Sequence, residues 1–311
     1  MKNSKILIGL CSGLILFSCQ NLDETNDLGQ QKLADEIIYS DLKVPTIKVN
    51  LKSENARIAG EEREVKLMKA EFITAPGSEQ MGRTVIFDNK GSKQLDFHFN
   101  PDRKIFGTSD MSYYIDEVRP SSTISTSDAT GALENAAQTW EEVSCSEMGL
   151  YRTPTEADPY GIVANIFGYP SIPDVVADVS NLGFMPAEFF DFLAPGGSNF
   201  ILAVTFTFSY GGEPDLNGDG KIDSALKEIY YNDNFPWAAN GGQIDLETVA
   251  LHEMGHGFDQ AHFGTGFIKK NGEFQFSPRA VMNASYSGIQ QDIYRTDNAG
   301  HCGIWATWPS N

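Results

Sequence analysis

The sequence predicts an α/β or α+β domain over residues 106–311. Two observations carry the prediction. Short runs with a two-residue apolar period alternate with stretches of helical period, in the order strand, helix, strands, helix, helix. The composition, 41% apolar and 21% charged, is that of a soluble globular chain able to fill a core.

The elements follow in order. Residues 46–51, 64–67, 83–87 and 94–99 read as strands, and Asp88-Asn89-Lys90-Gly91 reads as a hairpin turn. Together they predict a small β-rich region over residues 44–105, a propeptide or accessory module. Residues 111–115 form the next strand. A helix is expected over residues 129–143, where Leu133, Ala136, Ala137, Trp140 and Val143 recur at three and four and make one apolar stripe. Residues 175–179, 200–208 and 228–231 are strand-like. Asp245 is a suitable N-cap for a helix running to about Gly257, and a last helix covers about residues 296–305.

The N-terminus reads as an address. Lys2 and Lys5 precede an apolar stretch from Ile6 to Phe17, too short for a comfortable transmembrane helix. Leu16-Phe17-Ser18-Cys19 closes it and resembles a bacterial lipobox, which implies removal of residues 1–18 and lipidation of Cys19. The expectation is an exported lipoprotein of the outer membrane or cell surface, with plain secretion as the alternative. Residues 19–43 begin polar and acidic and read as a tether. In an exported chain the two remaining cysteines, Cys145 and Cys302, are a disulfide candidate.

The formal net charge of -19 repels phosphate backbones and excludes nucleic acid as the expected partner. Nothing in the chain signals an oligomer, and a monomer is expected.

Residues 252–262 read His-Glu-Met-Gly-His-Gly-Phe-Asp-Gln-Ala-His and hold three of the chain's five histidines. On a helix, His252 and His256 share one face and aim at a common point. Glu253 stands beside the first of them, within reach of a metal-bound water. A third ligand is required with one position left open, and His262 supplies it once the helix ends near Gly257 and Asp259.

This motif resembles the metzincin zinc-peptidase signature, with Asp259 where the family carries Gly. Met282, in Ala280-Val281-Met282-Asn283-Ala284-Ser285-Tyr286, resembles the family's Met-turn, and Tyr286 four residues on resembles the matrixin branch. The resemblance covers about residues 110–311. It implies a twisted, mostly parallel sheet with an antiparallel edge strand near residues 202–206, a long active-site helix and a C-terminal helix. It also implies Zn2+ on His252, His256 and His262, Glu253 as general base, Met282 beneath the ligands, and Tyr286 beside a specificity pocket. Protein or peptide substrates would pair with the edge strand. The matrixin cysteine switch is absent, since no Cys lies between Cys19 and Cys145.

A second cation, Ca2+, is suggested by Asp215-Leu216-Asn217-Gly218-Asp219-Gly220-Lys221-Ile222-Asp223. This run resembles the start of an EF-hand loop, with oxygens at Asp215, Asn217, Asp219 and Asp223 and the Lys221 carbonyl between them. The bidentate acid of position 12 is replaced by Leu226. The leading functional expectation is a zinc endopeptidase. The rivals are a lipid-anchored binding or adhesion protein on the same fold and a zinc hydrolase acting on a non-peptide amide.

Overall fold

The computed structural model describes residues 32–33, 36–50, 62–87, 96–106, 109–270 and 274–310. The first strands are β1 (Lys32–Leu33), β2 (Glu36–Tyr39), β3 (Ile47–Asn50), β4 (Glu62–Thr74), β5 (Arg83–Ile86), β6 (Phe97–Phe99) and β7 (Met111–Ile115). Helix α1 (Thr126–Glu141), strand β8 (Leu150–Arg152), helix α2 (Ile162–Ile166) and strands β9 (Val179–Met185), β10 (Ile201–Tyr210) and β11 (Ile222–Asn232) follow. The chain ends with β12 (Trp237–Ala238), β13 (Ile244–Asp245), α3 (Leu246–Gly257), β14 (Thr265–Ile268), β15 (Phe274–Ser277) and α4 (Arg295–Trp305).

The fold is mixed α/β. Strands β8, β7, β9 and β11 lie side by side in parallel and form the centre of the main sheet. Strand β10 runs antiparallel to β11 and opens the antiparallel side. One apolar core lies on each face. Helices α1 and α3 cover one face, and Trp140, Leu251, Met254 and Met282 are buried there. On the other face Phe72, Phe189, Phe206 and Tyr230 pack together. The stripe expected on α1 is buried as a unit, from Ala129 through Leu133 to Trp140. Ser125 caps α1 by accepting from the Asp128 N–H, and Asp245 caps α3 by accepting from the Thr248 N–H. Among the described residues no helix is long and apolar enough to cross a membrane.

Several expectations change. Residues 44–105 do not stand apart: β4 pairs with β10 and β6 with β11, so the region expected as a module is built into the one main sheet. The strand at residues 202–206 is therefore not the last of its side, because β4 covers it along its length. Within the expected tether, Lys32–Leu33 and Glu36–Tyr39 are strands. The strand read at residues 175–179 begins only at Val179. Just before it the buried Asp178 carboxylate takes the Lys104 ammonium at 2.5 Å and the Ser112 N–H at 2.9 Å. Cys19, the leader and the turn at residues 88–91 lie outside the described residues.

Cys145 and Cys302 are bonded, with 5.8 Å between their Cα atoms, and tie the segment after α1 to α4.

Candidate metal centre

Helix α3 presents His252 and His256 one turn apart, and both are fully buried. Their ring orientation is set by main chain. The Nδ1 of His252 lies 2.7 Å from the Val281 carbonyl, and the Nδ1 of His256 lies 2.7 Å from the Gln260 carbonyl. A carbonyl only accepts, so each Nδ1 carries the hydrogen and each Nε2 is left with a lone pair. Those two Nε2 atoms face each other at 3.1 Å. Burial, and then the neighbouring His262, push His252 down to about 3, and burial holds His256 well below its ordinary value. Neither ring keeps a proton to bridge the gap at neutral pH. Two opposed lone pairs this close call for a cation between them.

His262 completes the set, and the ligand atoms of the three rings all lie within 4.8 Å of one another. Among the described residues they are the group of this kind that could hold a metal ion. The chain reaches His262 through a tight helix end. The Gln260 N–H bonds the Gly255 carbonyl at 3.0 Å and the Asp259 N–H bonds the His256 carbonyl at 3.1 Å, the paired bonds of a Schellman motif. Asp259 takes the left-handed conformation, with φ 63, that this motif usually gives to Gly. Its carboxylate explains the choice. It lies 2.6 Å from the Lys227 ammonium, with both groups fully buried, and accepts from Ser224 Oγ and the Phe99 N–H. Asp259 thus ends the helix and docks that end on β11 and β6.

Met282 lies against the helix between the ligands. A Cβ on Gly255 would come 2.3 Å from the Met282 sulfur, so the helix can approach the turn at Met282 only with Gly there. The turn is held by Asp297 of α4, whose carboxylate accepts from the Val281 and Met282 N–H groups at 2.9 and 3.1 Å. Trp140 donates to the Leu251 carbonyl at 2.8 Å and fixes α3 on α1.

Glu253 is fully buried beside the rings. Thr205 of β10 donates to its Oε2 at 2.6 Å, while Oε1 has no hydrogen-bond partner among the described residues. The Ile73 N–H faces the same carboxyl and favours its charged form without meeting hydrogen-bond geometry at Oε1. Burial dominates and drives the Glu253 pKa far above the carboxylate range.

Tyr286 accepts from the Asp245 N–H at 3.2 Å through its hydroxyl, and its own N–H donates to the Thr74 carbonyl at 2.9 Å. It joins the start of α3 to the end of β4. The remaining two histidines lie outside the cluster. His301 stacks on Trp140 at 5.5 Å, and His98 lies on β6 with Nδ1 3.7 Å from an Asp219 carboxylate oxygen.

The Asp215–Asp223 loop folds on its own amides. Asp215 accepts from Gly218, Asp219 and Gly220, and Asp219 accepts from Lys221. The Asp223 carboxylate is engaged by Arg103 at 2.8 Å and by Asn100 at 3.3 Å. Arg103 thus brings a positive charge to the ninth position of the loop.

Three residues of the centre escaped sequence reading. Thr205 left a signal, a hydroxyl in the middle of a continuously apolar run. Lys227 left a fainter one, a charge inside a buried strand. Asp297 left none, since an acid in the first turn of a helix is ordinary. Compared with protein-family models and with curated proteins, the chain matches none.

Proposed function

We propose that the protein is a zinc-dependent endopeptidase in which His252, His256 and His262 hold the metal and Glu253 is the general base. The opposed Nε2 lone pairs of His252 and His256, 3.1 Å apart and fixed by backbone carbonyls, carry the reading. Three neutral imidazoles with an open fourth position suit zinc, and a structural site has no need of a carboxyl at Glu253. When bound there, zinc would polarise a carbonyl and lower the pKa of a water to about 7. Glu253 takes the proton of the attacking water and passes it to the leaving amine. Thr205 holds Oε2 and leaves Oε1 for that exchange. Asp297 and Val281 keep the His252 ring in place.

Glu253→Gln keeps zinc, measured by native mass spectrometry, and lowers hydrolysis of an internally quenched peptide library by a factor of about 100 or more. Retained turnover in that variant removes Glu253 from the mechanism. Full loss of zinc from the wild-type chain on purification removes the enzyme reading and leaves the binding-protein alternative.

Export as a lipoprotein through Cys19 belongs to the same proposal, as does calcium in the Asp215–Asp223 loop. The spacing of Asp215, Asn217, Asp219 and Asp223 along the chain is what supports the calcium reading, and calorimetric titration showing no heat of binding ends it.

A further inference from the structure

The chain between the third ligand and Met282 builds a cleft of its own. After His262 it forms β14 and returns as β15, paired from Thr265 opposite Ser277 to Ile268 opposite Phe274. It then passes Arg279 and reaches Met282, whose carbonyl accepts the Phe263 N–H at 2.7 Å and closes the loop beside the ligands. Asn283 fastens it again by donating to the Phe263 carbonyl at 2.7 Å. A cleft of about 550 Å³ lies along this hairpin. Phe276 and Tyr286 give it apolar walls, Ser285 a polar edge, and Lys269 and Arg279 its charges. Arg279 is three residues from Met282, so their Cα atoms are at most ~11 Å apart, and Met282 in turn packs against Gly255 of α3.

The charge of the cleft is one-sided. The chain carries 42 acids against 23 Lys and Arg, yet the described residues that line the cleft include these two cations and no acid. Arg279 is also held in position. Its Nε donates to Gln290 Oε1 at 3.2 Å, an Nη donates to the Ile289 carbonyl at 3.2 Å, and the guanidinium lies 5.9 Å from the centre of the Tyr294 ring. These partners are an amide, a carbonyl and a ring, so they orient the planar fork without neutralising it. The two bonds use two of its five N–H donors. A carboxylate matches such a fork with two oxygens, and a fork already oriented loses less freedom on binding one. The net charge of -19 does not forbid an acidic visitor, because repulsion from distant acids is screened beyond ~8 Å at physiological salt and the two nearby cations decide the contact. We infer that this cleft is a recognition site for an acidic stretch of polypeptide. A Glu or Asp side chain engages Arg279, Lys269 adds the second positive charge, and the neighbouring residues of the visitor lie against Phe276 and Tyr286. The inference rests on the peptidase reading and names its substrate class: proteins cut beside an acidic segment.

The test uses the zinc-loaded full chain and separates binding from cleavage. Binding is measured by fluorescence anisotropy in a Glu253→Gln background, on labelled peptides that differ only in a block of Glu, Gln or Lys. The cleft is left intact or carries Lys269→Gln, Arg279→Gln or Arg279→Glu. Cleavage is measured with the wild-type chain on quenched peptide libraries randomised except for a Glu or Gln block, placed at either end. With the cleft intact, the Glu peptide should bind about tenfold more tightly than the Gln peptide at low salt, and the difference should shrink as salt rises. Lys269→Gln and Arg279→Gln should each lose part of that preference. Arg279→Glu should favour the Lys peptide instead, a gain that a damaged fold does not produce. The wild-type chain should cleave the Glu library with a KM about tenfold lower than the Gln library, for the block at one end. Equal binding of Glu and Gln peptides, or a Glu preference untouched by Arg279→Glu, overturns the cleft and leaves the peptidase reading intact. Equal KM for the two libraries at both ends overturns its part in substrate choice. A Glu preference in binding with cleavage of neither library keeps the cleft and overturns the peptidase reading.

Discussion

Replacing Asp259 by Gly restores the residue that the resembling family carries, yet it should damage this protein. Gly adopts φ near 63 freely, which returns about 1–2 kcal/mol of backbone cost. Against that, the Lys227 ammonium loses a fully buried partner at 2.6 Å and keeps Thr207 Oγ1 at 3.0 Å. Breaking one side of a buried ion pair costs about 3–5 kcal/mol, because the remaining charge stays out of water. Burial already pushes the Lys227 pKa down, with the Asp259 carboxylate opposing it, so the lone ammonium would face the burial penalty with less help. The Ser224 hydroxyl and the Phe99 N–H lose their acceptor as well. The net expectation is a loss of about 2–4 kcal/mol, or roughly 4–16 °C in Tm at ~2–4 °C per kcal/mol for a chain of this size. Thermal unfolding by circular dichroism, on zinc-loaded and chelated protein, measures it. Asp259→Gly combined with Lys227→Met removes the orphaned charge and should recover most of the loss. A single variant as stable as wild type, or a double variant no better than the single, refutes the argument.

Two further stability predictions concern α4. Cys145 and Cys302 are 157 residues apart, and closing a loop of that length stabilises by about 5 kcal/mol in the chain-entropy account, so Cys145→Ser with Cys302→Ser should lower stability by that order in urea unfolding; an unchanged midpoint refutes it. Burial lowers His301 to about 4 against about 6.5 in the unfolded chain, so its contribution is complete above pH 6.5 and is lost as pH falls toward 4. Wild type should therefore lose about 3 kcal/mol more than His301→Phe between pH 7 and pH 4, and parallel losses in the two chains would refute it.

Much of this was legible because the signals were local. Asp245 caps α3, and Gly257 is its last residue, where the motif placed them. Three rings meet because helical spacing sets two of them and a helix end sets the third. Met282 was singled out by its distance from His262, and it packs against Gly255 of α3. Other features depended on residues far apart in the chain. That Asp259 serves as a left-handed cap required Lys227 on another strand, and that Asp297 holds Met282 required α4 to cross beneath it. The pairing of β4 with β10 was invisible for the same reason. Alternation in residues 64–67 announced a strand but not its partner, since pairing is set by long-range register and not by the strand's own period.

That long-range pairing has a consequence for biosynthesis. Strand β4 spans 13 residues and leaves the ribosome well before β10, its neighbour from residue 201 onward, exists. At ~5–20 residues per second the wait is on the order of ten seconds. An open strand edge of that length is an aggregation hazard. Its own charges, Arg63, Glu64, Lys66, Lys69 and Glu71, sit where they can discourage nascent chains from pairing with one another until the proper neighbour arrives.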